Sequence, residues 1–262
     1  LVPAMDCSDR PHHPVHAALY HPPGGIIRHD AVVWAYARGA DRAGVEIHPF
    51  TEVTGITVKG GAVQSVQSSR GEIRAKTVVN CTAGWCSLIA RMVGLRLPIV
   101  SHPLQALVTE PLKPFLDPVI VSATLHVYLS QTARGELVMG QEIDPYSSYS
   151  LGSTLPFLQG AASHTLDLFP CVRDVRVMRQ WAGICDMTPD YAPIMGKVEG
   201  IEGFILDVGW GTYGFKAGPV SGKRIAELIA TGRTPDLMSP FALSRFYEGN
   251  LLGEKAAASV SQ

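Results

Sequence analysis

Hydrophobic and polar positions along the chain switch period repeatedly, and each switch predicts a change of element. The opening, from Leu1 to Gly25, is rich in Pro and His and reads as loops. Helical spacing then predicts a helix from Ala31 to Ala43, capped by Asp30, with Val33, Trp34 and Ala37 on one face. Gly44 stops it, and Val45-Glu46-Ile47 reads as a short strand. Alternation over Thr54 to Lys59 and Ala62 to Ser68, joined at Gly60-Gly61, predicts two paired strands. A third run, Ile73 to Asn80, ends in Val78-Val79-Asn80, apolar enough for a buried parallel strand. Trp85 to Val93 reads as a helix.

From Ile99 to Ile143 the pattern becomes short strands divided by Pro and Gly. Gln105 to Thr109, Val119 to Val121, His126 to Gln131 and Glu136 to Gln141 predict an antiparallel sheet. A helix from Leu155 to Leu168 crosses it, and Val175 to Ile184 returns as a strand. The last third reads strand (Gly203 to Val208), glycine turn, helix (Phe215 to Ala230). α/β pieces thus flank an antiparallel insert, which implies two structural units built from discontinuous segments.

Composition narrows the function. The 262 residues carry a net charge of -1, with 17% charged and 46% hydrophobic residues, the profile of a globular enzyme. No block of Lys or Arg suits nucleic acid or an anionic membrane. No apolar run approaches the ~18 residues of a membrane span. Five cysteines (Cys7, Cys81, Cys86, Cys171, Cys185) form no CxxC pair, so reduced thiols in a cytoplasmic protein are expected. His12, His13 and His16 have loose metal-like spacing but no Cys or acidic partner to complete a site, and no metal is expected.

The strongest local constellation is Gly209-Trp210-Gly211-Thr212-Tyr213-Gly214-Phe215-Lys216. It matches GxGxxG between a strand and a helix, but no second strand with an acidic end follows within about 20 residues, as a pyrophosphate cradle requires. Glycines nonetheless let backbone approach a flat ligand, and the N–H groups at Gly214 and Phe215 open a helix. That helix start suits an anionic group such as the N1–C2=O edge of a reduced flavin. Lys216 stands in the first turn, against the helix dipole, a placement suited to acting on a ligand.

This turn, with upstream motifs, resembles the D-amino acid oxidase superfamily of FAD-dependent oxidoreductases and, within it, the beta subunits of heterotetrameric sarcosine oxidases. The matching stretches are Gly24-Gly25-Ile26-Ile27-Arg28-His29-Asp30-Ala31-Val32, Val78-Val79-Asn80-Cys81-Thr82-Ala83-Gly84-Trp85, Met178-Arg179-Gln180-Trp181-Ala182-Gly183 and Thr188-Pro189-Asp190-Tyr191-Ala192-Pro193-Ile194-Met195-Gly196. The resemblance implies a mixed α/β (α+β) fold, part of a Rossmann-like FAD/NAD(P)-binding domain interleaved with an antiparallel-sheet substrate domain. Residues 1–95 and 186–262 would be the FAD-binding remainder, and 96–185 the substrate-binding domain. The family's N-terminal GxGxxG unit has no counterpart here, so a truncated form is expected.

The resemblance also implies roles. Val53 would lie by the FAD adenine; Ala83, Gly84, Trp85, Gly209, Gly211, Thr212, Gly214, Phe215 and Lys216 would line FAD. Lys216 would in addition meet the substrate carboxylate as a point charge. The family usually has a glycine where Tyr213 stands, a departure expected to narrow the pocket. His29 resembles the histidine that carries covalent FMN, and Arg28 could pair with its phosphate. The implied reaction is oxidation of a secondary amine such as sarcosine, with electrons passing from FAD through FMN to oxygen to give hydrogen peroxide. The implied partners are the other sarcosine oxidase-type subunits. Two other readings stay open: an FMN-free dehydrogenase of proline, hydroxyproline or an opine, and a non-catalytic assembly fragment.

Overall fold

β11 (Ile201–Val208) is the strand around which one sheet is built, in a computed structural model that describes residues 1–9 and 11–253. Its alternation sends Phe204, Leu206 and Val208 into one apolar cluster, with Ile56, Val63, Cys86, Ala90 and Ile194. Ile205 points the other way, into a second cluster with Ile225, Leu228 and Met238. A strand buried on both faces in this way must be covered by a layer on each side. Here one cover is α4 (Gly214–Thr231), which supplies Ile225 and Leu228.

The sheet runs β1 (Val53–Lys59), β2 (Ala62–Ser68), β11, β10 (Ile194–Val198), with β3 (Gly71–Arg74) on β2 and β4 (Val78–Asn80) on β11. β1 and β2 pair antiparallel as the alternation predicts, through a Gly60-Gly61 turn in which both glycines have positive φ. β4 and β11 are parallel, with Phe204 opposite Val78 and Leu206 opposite Asn80. The predicted run Ile73 to Asn80 is therefore two strands, β3 and β4, that pair with different neighbours.

The second sheet has the order β6 (Ile120–Ser122), β7 (Val127–Gln131), β8 (Glu136–Gln141), β5 (Val100–Pro111), β9 (Val177–Met187). Leu107, Val127, Leu129, Leu137 and Met139 point to one face, where α3 (Leu155–Leu168) lays Phe157, Ala161 and Leu168 on them. Thr154 caps α3 through its side chain, which accepts from the Phe157 N–H.

Backbone contacts divide the chain into two units. Among the described residues, one contains Leu1–Gly25 and His102–Ile184; the other contains Ile26–Ser101 and residues 185–253. The opening segment, grouped by sequence with residues 1–95, packs instead with the second sheet. Val2, Ala4, Met5 and Val15 lie on its apolar cluster, and the Asp6 N–H donates to the Leu168 carbonyl at 2.8 Å.

Three local expectations are corrected. Asp30 does not cap the first helix: α1 is His29–Arg42, its N-cap is Arg28, and Asp30 sits in the first turn. There the carboxylate is held below its ordinary pKa by the Ala31 N–H and by the neighbouring Arg28 and His29. Val45 to Ile47 is not a strand; both apolar side chains are exposed and the backbone follows no partner strand among the described residues. The helix from Trp85 to Val93 is shorter: α2 (Cys86–Arg91), preceded by a 3-10 turn at Ala83–Trp85.

Candidate functional site

Because β4 and β11 are adjacent and parallel, their carboxyl ends lie side by side, and so do the loops that leave them. In open α/β sheets such a crevice outside the strand ends is where ligands bind. One loop is Cys81 to Trp85; the other is the glycine turn Gly209 to Gly214. Two stretches 124 residues apart in sequence (Gly209 minus Trp85) thus become neighbours.

Asn80, fully buried at the end of β4, shapes the first loop. Its amide donates to the Cys86 carbonyl at 2.9 Å, and its Oδ1 accepts from the Thr82 N–H and hydroxyl at 3.2 and 2.7 Å. Ser101 Oγ donates to the Gly84 carbonyl at 2.6 Å. These bonds hold Ala83 at φ 45°, a left-handed conformation unusual for a residue with a Cβ. Trp85 is left 41% exposed at the loop's end.

The second loop is shaped by Asp186, a residue that the sequence patterns do not single out. Its carboxylate accepts the Gly209 N–H at 2.5 Å, and its carbonyl accepts the Gly211 N–H at 3.2 Å. Burial pushes the Asp186 carboxyl above its ordinary pKa, against the pull of the N–H groups of Gly209, Gly211 and Trp210. The Gly209 and Gly211 N–H groups are thus both taken by Asp186, the first by its carboxylate and the second by its main-chain carbonyl. Gly209 and Gly211 have φ 73° and 55°, and the space a Cβ would need is taken by the protein itself. A Cβ on Gly209 would come 2.6 Å from Thr188 Cγ2, and one on Gly214 2.7 Å from Trp210 Cβ.

α4 starts at Gly214, and its N-cap Tyr213 supplies no side-chain cap. The donors of the first turn of a helix are unsatisfied within it, so this end offers N–H groups and positive dipole to a ligand. Phe215 and Lys216 are exposed there. Asp207 ties the helix to β11, accepting from Trp210 Nε1 at 2.8 Å and from Ser221 Oγ at 2.5 Å. The Tyr213 hydroxyl donates to the Tyr191 carbonyl at 2.9 Å, linking the glycine turn to the Thr188-Pro189-Asp190 turn.

The fold therefore brings together Ala83, Gly84 and Trp85 with Gly209, Gly211, Thr212, Gly214, Phe215 and Lys216. It gives no such pairing to Arg28 and His29, which open α1, an element with no buried residue. Arg28 forms an exposed ion pair with Asp30 at 3.5 Å. Val53 begins β1, at the far side of the same sheet from β10. Asp190 is structural: buried, and held by Arg245.

A two-sheet mixed α/β chain with an uncapped helix start beside a parallel strand end has the architecture of a flavin-dependent oxidoreductase. The profile of the family described as "FAD dependent oxidoreductase" matches residues 1–228, and the chain belongs to that family. It is 42% identical over its whole length to the sarcosine oxidase subunit beta of Rhodobacter capsulatus and 41% identical to that of an Arthrobacter species. It covers 62% and 64% of those proteins, so it spans less than two thirds of the length of these curated relatives. Among solved structures it is similar to an L-proline dehydrogenase from P. horikoshii, with TM-score 0.78 and 29% identity over 84% of this chain and 60% of that one.

The residues present fit the ring end of a flavin. The start of α4 offers donors to an anionic edge, Lys216 adds a cation, and Trp85 and Phe215 add flat apolar surface.

Proposed function

We propose that this chain is the flavin-facing part of an amine oxidoreductase that oxidises a secondary amino acid, sarcosine being the best candidate. The observation that carries this reading is the uncapped start of α4, with Lys216 in its first turn, beside the Ala83–Trp85 loop. Family membership and the 42% identical sarcosine oxidase subunit beta support it. FAD, when bound, would supply the redox chemistry by accepting a hydride equivalent from the amine.

The chain's own residues do the rest. N–H groups at Gly214 and Phe215 would stabilise negative charge on the ring edge, preorganised by the strand–turn–helix geometry. Lys216 would bind the substrate carboxylate as a fixed cation and so orient the amine's C–H toward the ring. Ala83, Gly84, Trp85, Gly209, Gly211 and Thr212 would line the ring, and Val53 would lie by the adenine. The amine must be neutral to give up hydride; for sarcosine, water then hydrolyses the product imine to glycine and formaldehyde, the latter carrying the former N-methyl carbon.

His29 is the proposed point of covalent FMN attachment, with Arg28 as phosphate partner. Both residues are solvent-accessible, His29 as the first residue of α1 and Arg28 as its N-cap, as an attached cofactor needs. The proposed partners are the other subunits of a sarcosine oxidase-type assembly. We read the enzyme as cytoplasmic on its five free thiols, and no helix among the described residues is long and apolar enough to cross a membrane. The likeness to an L-proline dehydrogenase favours a second reading, a dehydrogenase without covalent FMN.

Acid precipitation separates these. The protein is denatured, washed and examined for flavin absorbance in the pellet, beside a His29→Ala variant. Flavin retained in the native pellet and lost in the variant supports the FMN linkage. A colourless native pellet, with FAD recovered in the supernatant, supports the dehydrogenase. Flavin retained in the variant removes His29 from the role.

A further inference from the structure

Asp186 touches the glycine turn at two points, and the two contacts use different parts of the residue. Its buried side chain takes the Gly209 N–H at 2.5 Å; its main-chain oxygen takes the Gly211 N–H at 3.2 Å. Between them Gly209 and Gly211 both adopt left-handed φ, so the chain wraps around the end of β9 rather than continuing the line of β11. Gly209 has no room to relax inward, because Thr188 Cγ2 and Ile99 Cδ1 already fill the space beside its Cα. The Cys86 thiol lies 4.0 Å from the same carboxylate oxygen, so α2, which follows the Ala83–Trp85 loop, meets it too. A buried carboxylate is costly unless its partners are fixed, and a buried N–H without a partner costs as much as the bond it lost. Acid and turn therefore hold each other in one geometry.

We infer that Asp186 is the positioning residue of the glycine turn, a two-point template that sets the backbone of Gly209–Gly211 and thereby aims the start of α4 at the ligand. It touches no ligand itself and acts through Gly209 and Gly211. The inference rests on the flavin-facing reading only for what the turn is aimed at; the template concerns the chain alone.

Hydrogen–deuterium exchange on the full 262-residue chain tests it, with Asp186→Ala and Asp186→Asn variants. The carboxamide keeps an oxygen acceptor in place; the methyl group keeps none. In Asp186→Ala the Gly209–Gly214 peptide is expected to exchange about 10-fold faster or more, while the β1–β2 hairpin exchanges as in the native chain. Asp186→Asn is expected to restore protection to within about 3-fold. FAD added to the same three proteins is expected to bind about 10-fold more weakly to the Ala variant and near-natively to the Asn variant. Turn amides that exchange natively in Asp186→Ala overturn the inference. So does general loss of protection in both variants, which would make Asp186 a core residue only. If the exchange pattern holds but the native chain binds no flavin, the template stands and the flavin-facing reading fails.

Discussion

The Arg245 guanidinium grips the Asp190 carboxylate through two hydrogen bonds, Nε to Oδ2 at 2.8 Å and Nη2 to Oδ1 at 2.9 Å. The same guanidinium donates to the carbonyls of Ala192, Phe241 and Ala242, and stacks 4.2 Å from the Phe246 ring centroid. The pair is buried, and both partners' hydrogen-bonding capacity is used. It closes the carboxyl-terminal segment over the Thr188–Tyr191 turn, to which Tyr213 is tied.

Removing one side of such a pair leaves a buried, uncompensated charge. Arg245→Ala is expected to destabilise the unit by about 3–5 kcal/mol, and Asp190→Ala comparably. Replacing both, as Arg245→Met with Asp190→Leu, is expected to cost less than either single change. Denaturant unfolding of the four proteins measures this; additive losses would show that the pair is not coupled.

Two carboxylates of one unit are expected to act on stability with opposite sign. For Asp190, burial pushes the pKa up, but the Arg245 bonds, the Leu252 and Ala192 N–H groups and the Arg245 charge outweigh it, leaving the pKa below its ordinary 3.8. Its contribution is present above that value and is lost as pH falls through the depressed one. For Asp186, burial leads and the folded pKa lies above 3.8. Its contribution is complete below 3.8 and is lost as pH rises through the raised value. Thermal melts across this range should show Asp186→Asn gaining on the native chain as pH rises, and Asp190→Asn losing ground. A difference independent of pH would contradict the assignment for that residue.

Thiol reactivity should divide the cysteines. Burial, with the Asp186 charge, pushes Cys86 to about 12 and Cys185 to about 11; burial, with Asp207, pushes Cys81 to about 11. Thiolate is the reactive form, so these three are expected to react slowly with an aromatic disulfide at pH 8. Cys7, Cys81 and Cys171 are all exposed to solvent as residues; because partial burial and the Asp207 charge disfavour the Cys81 thiolate, Cys7 and Cys171 should react first. All five should react once the chain is denatured; fast native labelling of Cys86 would mean that α2 opens readily in the folded chain.

Lys216 carries the substrate proposal. In flavin-loaded protein, Lys216→Met is expected to raise KM for sarcosine about 10- to 100-fold, or about 1.4–2.8 kcal/mol, with a smaller change for an amine lacking the carboxylate. Equal losses for both amines would take the carboxylate from Lys216.

Much of the architecture follows from local pattern alone. Strict alternation on either side of Gly60-Gly61 makes a hairpin because side chains of a strand point to opposite faces. α3 appears at its predicted bounds, since Thr154 caps it and its apolar face has one sheet to cover. Gly209–Gly214 announces a tight strand-to-helix turn because positive φ is cheap only without a Cβ. Pattern also says that this turn lacks the second strand of a dinucleotide site. Tertiary structure decided what pattern cannot carry: which strands are neighbours, and which polar groups meet once water is excluded. The parallel pairing of β4 with β11 sets the Ala83–Trp85 loop beside the turn, although one lies more than a hundred residues from the other. Val45 and Ile47 read as a strand, yet a strand needs a partner edge, and periodicity says nothing of one. Asp186 was invisible for the same reason: it follows Cys185 in an ordinary strand, and only folding brings its carboxylate to the Gly209 N–H. Covalent sequence specifies side-chain period and backbone freedom; burial and long-range hydrogen bonds exist only after the chain closes on itself.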